Sequence, residues 1–101
     1  MSSTDTAWAS LTGRVAELEA LEGVMQLLEW DQQTMMPSGG APHRGSQLST
    51  LSGLMHDRLS DPEIGDWLSH LDTDTDPVRV AAVRNVRRDH ERAVKVPSRL
   101  V

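Results

Sequence analysis

An apolar side chain recurs every three or four positions from Trp8 through Leu11, Val15, Leu18, Leu21 and Met25 to Leu28. That spacing lays all of them along one stripe of a helix. Nothing breaks the helical pattern before Pro37, which disfavours helical backbone in the residue preceding it. The spacing therefore predicts one helix ending near Met35 or Met36, about thirty residues and on the order of 45 Å long. That is long for a free-standing chain of 101 residues. Thr4 or Asp5 is the expected N-cap. Val24 and Leu27 widen the stripe, so the second half of the helix is expected to be the more deeply buried. Gly13 and Gly23 each weaken a helix by about 1 kcal/mol relative to alanine. They are read as places where another backbone comes close.

Punctuation divides the rest of the chain. Met36-Pro37-Ser38-Gly39-Gly40-Ala41-Pro42 reads as a loop. Leu48, Leu51, Met55 and Leu59 share one face of a second helix. Asp61-Pro62 and Asp76-Pro77 each pair a good N-cap with a proline suited to the first helical position. They predict a short third helix carrying Ile64, Trp67, Leu68 and Leu71, and a fourth from Val78 to about Val96. The apolar face of the fourth is thin: Val83, Val86 and Ala93, with His90 beside them. Pro97-Ser98-Arg99-Leu100-Val101 resembles the first turn of a further helix, so the expectation is a chain cut short at Val101. No segment alternates as a strand does. The predicted fold is all-α, a single domain over 1–101: a long N-terminal helix followed by antiparallel helices, as a helical bundle or hairpin. Trp30 and Trp67 are read as core anchors.

Composition removes several kinds of chemistry. The chain has no cysteine, hence no disulfide, thiolate zinc site or cysteine nucleophile. Its three tryptophans are accompanied by no Phe or Tyr, which leaves little to stack on nucleic-acid bases. The net charge of -5 does not suit a general DNA binder. Basic residues concentrate after residue 76, in Arg79, Arg84, Arg87, Arg88, Arg92 and Lys95. They are expected to pair with Glu17, Glu19, Glu22, Glu29 or Asp31 within the fold rather than with nucleic acid. Asp31, unfavourable in mid-helix, is expected to pair with an arginine of the fourth helix, or to touch substrate in a complete enzyme. No signal peptide or membrane span is visible, and the expected location is cytoplasmic.

The remaining motifs weigh toward structure. Asp72, Asp74 and Asp76 imitate the start of a calcium loop, but Pro77 and Val83 stand where the loop needs Gly and Glu. They read as capping and linker residues. His43, His56, His70 and His90 lie far apart, with no pair at i, i+4. Ser38, Ser46 and Ser49 near His43 lack the strand-turn-helix frame of a hydrolase elbow. Gly39-Gly40 lacks the strand and the Gly-Lys-Ser/Thr ending of a phosphate loop. His90-Glu91-Arg92-Ala93-Val94 is the nearest approach to a zincin motif. Its second histidine position holds Val94, and one imidazole cannot stand for three protein ligands. His90 is expected to pair with the acidic part of the chain.

The run Leu28-Glu29-Trp30-Asp31-Gln32-Gln33-Thr34-Met35-Met36-Pro37-Ser38-Gly39-Gly40 resembles the carboxypeptidase Taq family of zinc-dependent metallocarboxypeptidases. The similarity continues through Arg44, Gln47, Leu48, Leu51, His56, Leu59 and Asp61-Pro62-Glu63-Ile64. It returns at Val86-Arg87-Arg88-Asp89-His90-Glu91-Arg92-Ala93, Lys95-Val96-Pro97 and Leu100-Val101. The resemblance implies the N-terminal end of a much longer, largely helical enzyme, where helices wall the substrate groove and the Gly39-Gly40 loop borders it. The family's His-Glu-X-X-His helix and downstream glutamate are absent. No catalytic, cofactor-binding or metal residue is therefore assigned. Zinc or another divalent metal is implied for full-length relatives, and for this chain no cofactor. The chain is expected to be a truncated N-terminal portion of a metallocarboxypeptidase, inactive alone. The alternative is a helical interaction module that dimerises or binds a full-length relative.

Overall fold

The computed structural model describes residues 3–34 and 41–96, apart from the side chains of 32–34, 41 and 42. Four helices follow in order: α1 (Ser3–Thr34), α2 (Ala41–Ser60), α3 (Pro62–His70) and α4 (Pro77–Lys95). The described residues contain no strand, and the fold is all-α. The loop read at 36–42 is shorter than expected at its far end, since Ala41 and Pro42 open α2. Proline is tolerated there because first-turn N–H groups have no partner inside the helix. Residues 35–40, with Gly39-Gly40, and residues 97–101, with the expected fifth helix, lie outside the described residues.

The helices form three rods. α1 is the first. α2 and α3 make the second, bent at Asp61 and antiparallel to α1. Glu17 pairs with Arg58 at 3.2 Å, and the Thr4 hydroxyl donates to the His70 carbonyl at 3.3 Å. α4 is the third, running back alongside α3 and the end of α2. Both Asp-Pro starts form as the sequence predicts. Asp61 accepts from the Glu63 N–H at 3.0 Å. Asp76 accepts from the Val78 and Arg79 N–H groups at 2.9 and 3.4 Å. Thr4 and Asp5, by contrast, sit inside the first turn of α1 rather than at its cap.

Among the described residues, the three rods share a buried core near the start of α1. There Ala7, Leu11, Ile64, Leu68, Leu71 and Val83 form the core, with Trp8, Leu59, Trp67 and Val86 packed against it. Farther along α1, α4 faces it only across a groove that reaches Met25, and beyond Met25 the neighbour of α1 among the described residues is α2. The expectation of deeper burial in the second half of α1 is therefore reversed. Leu21, Met25 and Leu28 are half-buried, while Val24 and Leu27 are 46% and 63% exposed. Trp30 is 56% exposed and is not a core anchor; Trp67 is partly buried against the core. No described atom comes near a Cβ placed on Gly13 or Gly23, so neither marks a close backbone approach. The molecule measures 54 × 24 × 20 Å, with a radius of gyration of 16.5 Å. A compact domain of about 100 residues has a radius of gyration near 13 Å.

Candidate functional site

Two arginine–tryptophan clamps hold the rods at the core end. Arg14 of α1 donates to the Arg58 carbonyl at 2.8 Å and to Asp61 Oδ2 at 3.1 Å. Its guanidinium lies 5.2 Å from the Trp67 ring centre. One side chain thus meets a last-turn carbonyl of α2, the N-cap of α3 and an α3 aromatic face. The Asp61 carboxyl is held below the ordinary aspartate range, first by the Glu63 N–H and also by Arg14, against partial desolvation. Arg79 of α4 makes the second clamp. It lies 5.0 Å from the Trp8 ring centre, 3.4 Å from Asp74 and 3.7 Å from Asp5.

The basic residues of α4 pair differently from the sequence expectation. Arg79 meets Asp5 and Asp74, Arg87 meets Asp72, and Arg88 meets Asp89 at 3.5 Å. These partners sit in the 72–76 linker, on α4 itself and at the start of α1, because α4 begins there. Glu19 and Glu22 lie across a gap from α4, and Glu17 is taken by Arg58. Asp31 likewise pairs with Arg44 of α2, not with an arginine of α4, which ends too soon to reach it. The bond joins the far ends of α1 and α2, and Arg44 also donates to Gln47 at 2.6 Å.

His90 is buried, and its Nδ1–H donates to the Leu59 carbonyl at 2.7 Å rather than pairing with a carboxylate. His56 Nε2–H donates to the Ala93 carbonyl at 2.8 Å. Its Nδ1 is buried without a hydrogen bond among the described residues, 3.8 Å from Asp57. Among the described residues, no group of three or more His, Asp or Glu side chains is placed to hold a metal ion. His56 and His90 each spend a ring nitrogen on a helix carbonyl, His43 contacts Gln47, and His70 bonds its own helix. This donor set does not fit a catalytic metal, which takes three converging protein ligands.

An open groove of about 690 Å³ lies between α1 and α4, floored by α2. Val15, Leu18 and Met25 form one wall, Met55 and Leu59 the floor, and Val86 and Val96 part of the other wall. Glu19 and Glu22 stand on the α1 lip; Asp89 and Arg92 stand on the α4 lip. The groove exists because α3 is short and turns toward the core end, leaving nothing described between α1 and α4 here. Sequence periodicity identifies each wall separately, but not the gap, which depends on where α4 lies. Arg14 was also missed. The available signal was a lone arginine, among acidic residues, beside the Leu11–Val15 stripe.

The described residues form an elongated all-helical assembly with an open apolar groove. The description of the carboxypeptidase Taq (M32) metallopeptidases matches residues 10–101, and the chain belongs to that family. It is 38% identical to thermostable carboxypeptidase 1 of Thermus thermophilus over 95% of its own length. It spans 20% of that protein. No solved structure matches it significantly. Among the described residues, no helix is long and apolar enough to cross a membrane.

Proposed function

We propose that this chain is the N-terminal framework of a carboxypeptidase Taq-type enzyme, cytoplasmic, and without turnover of its own. In the longer enzymes, a zinc or other divalent ion would be held by residues that this chain does not contain. The reaction proposed for the whole enzyme is removal of C-terminal residues from peptides. The chain's part in it is to wall and brace a helical body.

The far half of α1 carries this reading. Leu21, Met25 and Leu28 are half-buried, while Val24, Leu27 and Trp30 carry apolar surface into the exposed side. A helix that is apolar on both sides suits the interior of a larger body. The test is incubation of the isolated chain with zinc or cobalt and an N-blocked dipeptide. No chelator-sensitive release of the C-terminal residue is expected; such release overturns the reading.

The same surface favours a second reading, an interaction module that pairs with itself or with a longer relative. Light scattering across micromolar concentrations distinguishes it. Concentration-dependent growth in mass supports the module, and a constant monomer mass counts against it.

A further inference from the structure

The groove between α1 and α4 has the dimensions and surface of a helix seat. Its wall on α1 runs from Val15 to Met25, about 15 Å or three turns at 1.5 Å per residue. Packed helices lie about 8–10 Å apart, so one further rod can rest on the Met55–Leu59 floor and touch both walls. A small polar ligand would need several convergent polar groups. Here the His56 Nε2–H is already committed to the Ala93 carbonyl, and the walls are chiefly apolar.

Charge on the lips narrows the occupant further. Glu19 and Glu22 crown the α1 lip one turn apart. On the other lip stand Arg92 and Asp89, and Asp89 is paired with Arg88, which leaves two glutamates against the one arginine. The net field over the groove is negative, so a complementary occupant is positive beside its apolar stripe. A second copy packed through the same groove about a two-fold axis brings the same patch, hence the same excess of carboxylates. It supplies no complementary charge. The family relative, by contrast, holds most of its length outside the segment matched here, since the chain spans 20% of it.

We propose that the groove seats an amphipathic helix with an apolar stripe flanked by lysine or arginine. That helix comes from the part of the carboxypeptidase Taq enzyme that this chain does not span. The proposal rests on the framework reading and adds to it the place and the chemistry of the joint.

The test uses the whole 101-residue chain, isotopically labelled, and follows its nuclear magnetic resonance shifts. One set of probes is overlapping peptides covering the Thermus enzyme outside the matched segment. The other is a pair of idealised leucine-rich helical peptides, one with lysine flanks and one with glutamate flanks. The expected result is that at least one basic-flanked Thermus peptide moves Leu18, Met25 and Met55 together. The lysine peptide should bind about tenfold more tightly than the glutamate peptide, and Glu19→Lys with Glu22→Lys should invert that preference. Equal affinities, no binding, shifts confined to Val24, Leu27 and Trp30, or saturation of the groove by self-association each overturn the proposal. Binding of the idealised peptide with no Thermus peptide binding overturns the source assigned to the helix. Metal-dependent turnover by the isolated chain would defeat the framework reading while leaving these binding results standing, so the two failures are separable.

Discussion

His56 and His90 cap each other's helices. His56, on α2, donates to the Ala93 carbonyl near the end of α4; His90, on α4, donates to the Leu59 carbonyl near the end of α2. The two helices overlap antiparallel at their C-terminal turns, where carbonyls have no partner within their own helix. His90 therefore supplies a donor to the Leu59 carbonyl, while His56 adds a second donor to the Ala93 carbonyl, which also accepts from the Val96 N–H at 3.2 Å.

Replacing either histidine by alanine leaves a carbonyl without that donor. A loss of about 1–3 kcal/mol is expected for His90→Ala and about 0.5–1.5 kcal/mol for His56→Ala, read from the urea midpoint. His90→Ala should be the more costly, because the Ala93 carbonyl that His56 serves keeps the Val96 N–H. The double substitution should cost less than the two losses added, because both act on one helix contact.

Arg14 joins three groups, so Arg14→Met should lower stability by more than an exposed substitution does, by about 1–3 kcal/mol. Arg14→Lys should recover only part of that, because an ammonium lacks the planar fork. Chemical denaturation of the three proteins side by side checks the order.

The lowered Asp61 pKa gives a signed pH dependence. A carboxyl whose folded pKa lies below its unfolded one contributes stability above the unfolded value, near 3.9. That contribution disappears as pH falls through the lowered folded value. Asp61→Asn keeps a side-chain acceptor for the cap but cannot ionise. Its stability should fall less steeply than the unsubstituted protein's below about pH 4, measured by urea midpoints across the acid range.

The paired basic residues of α4 predict no appreciable affinity for DNA or RNA, even at low ionic strength, where phosphate contacts are strongest. Fluorescence anisotropy with a labelled duplex and a labelled single strand is the measurement. Tight, salt-sensitive binding would show that the Asp5, Asp72, Asp74 and Asp89 pairs do not occupy these side chains.

What the sequence discloses is mostly local. The helix starts at Asp61-Pro62 and Asp76-Pro77 are legible because cap and proline act within one turn. The stripes on α2, α3 and α4 are legible because helical period is a property of neighbours in sequence. The Asp31–Arg44 pair, the clamp at Arg14 and the groove depend on which rods lie side by side and where each stops. The exposed Leu27 shows the limit most clearly. Its place on α1 reads as apolar, but burial needs a facing helix, and α4 has already ended.

That early end of α4 also divides α1 energetically. Around Leu11 the helix cannot open without exposing the core it shares with Ile64 and Val83, whereas from Val24 to Trp30 it leans on one neighbour. Amide hydrogen exchange should therefore slow toward Leu11 and quicken steadily beyond Met25, although the helix is continuous. A single unbroken α-helix would then melt in stages, like a beam fixed at one end.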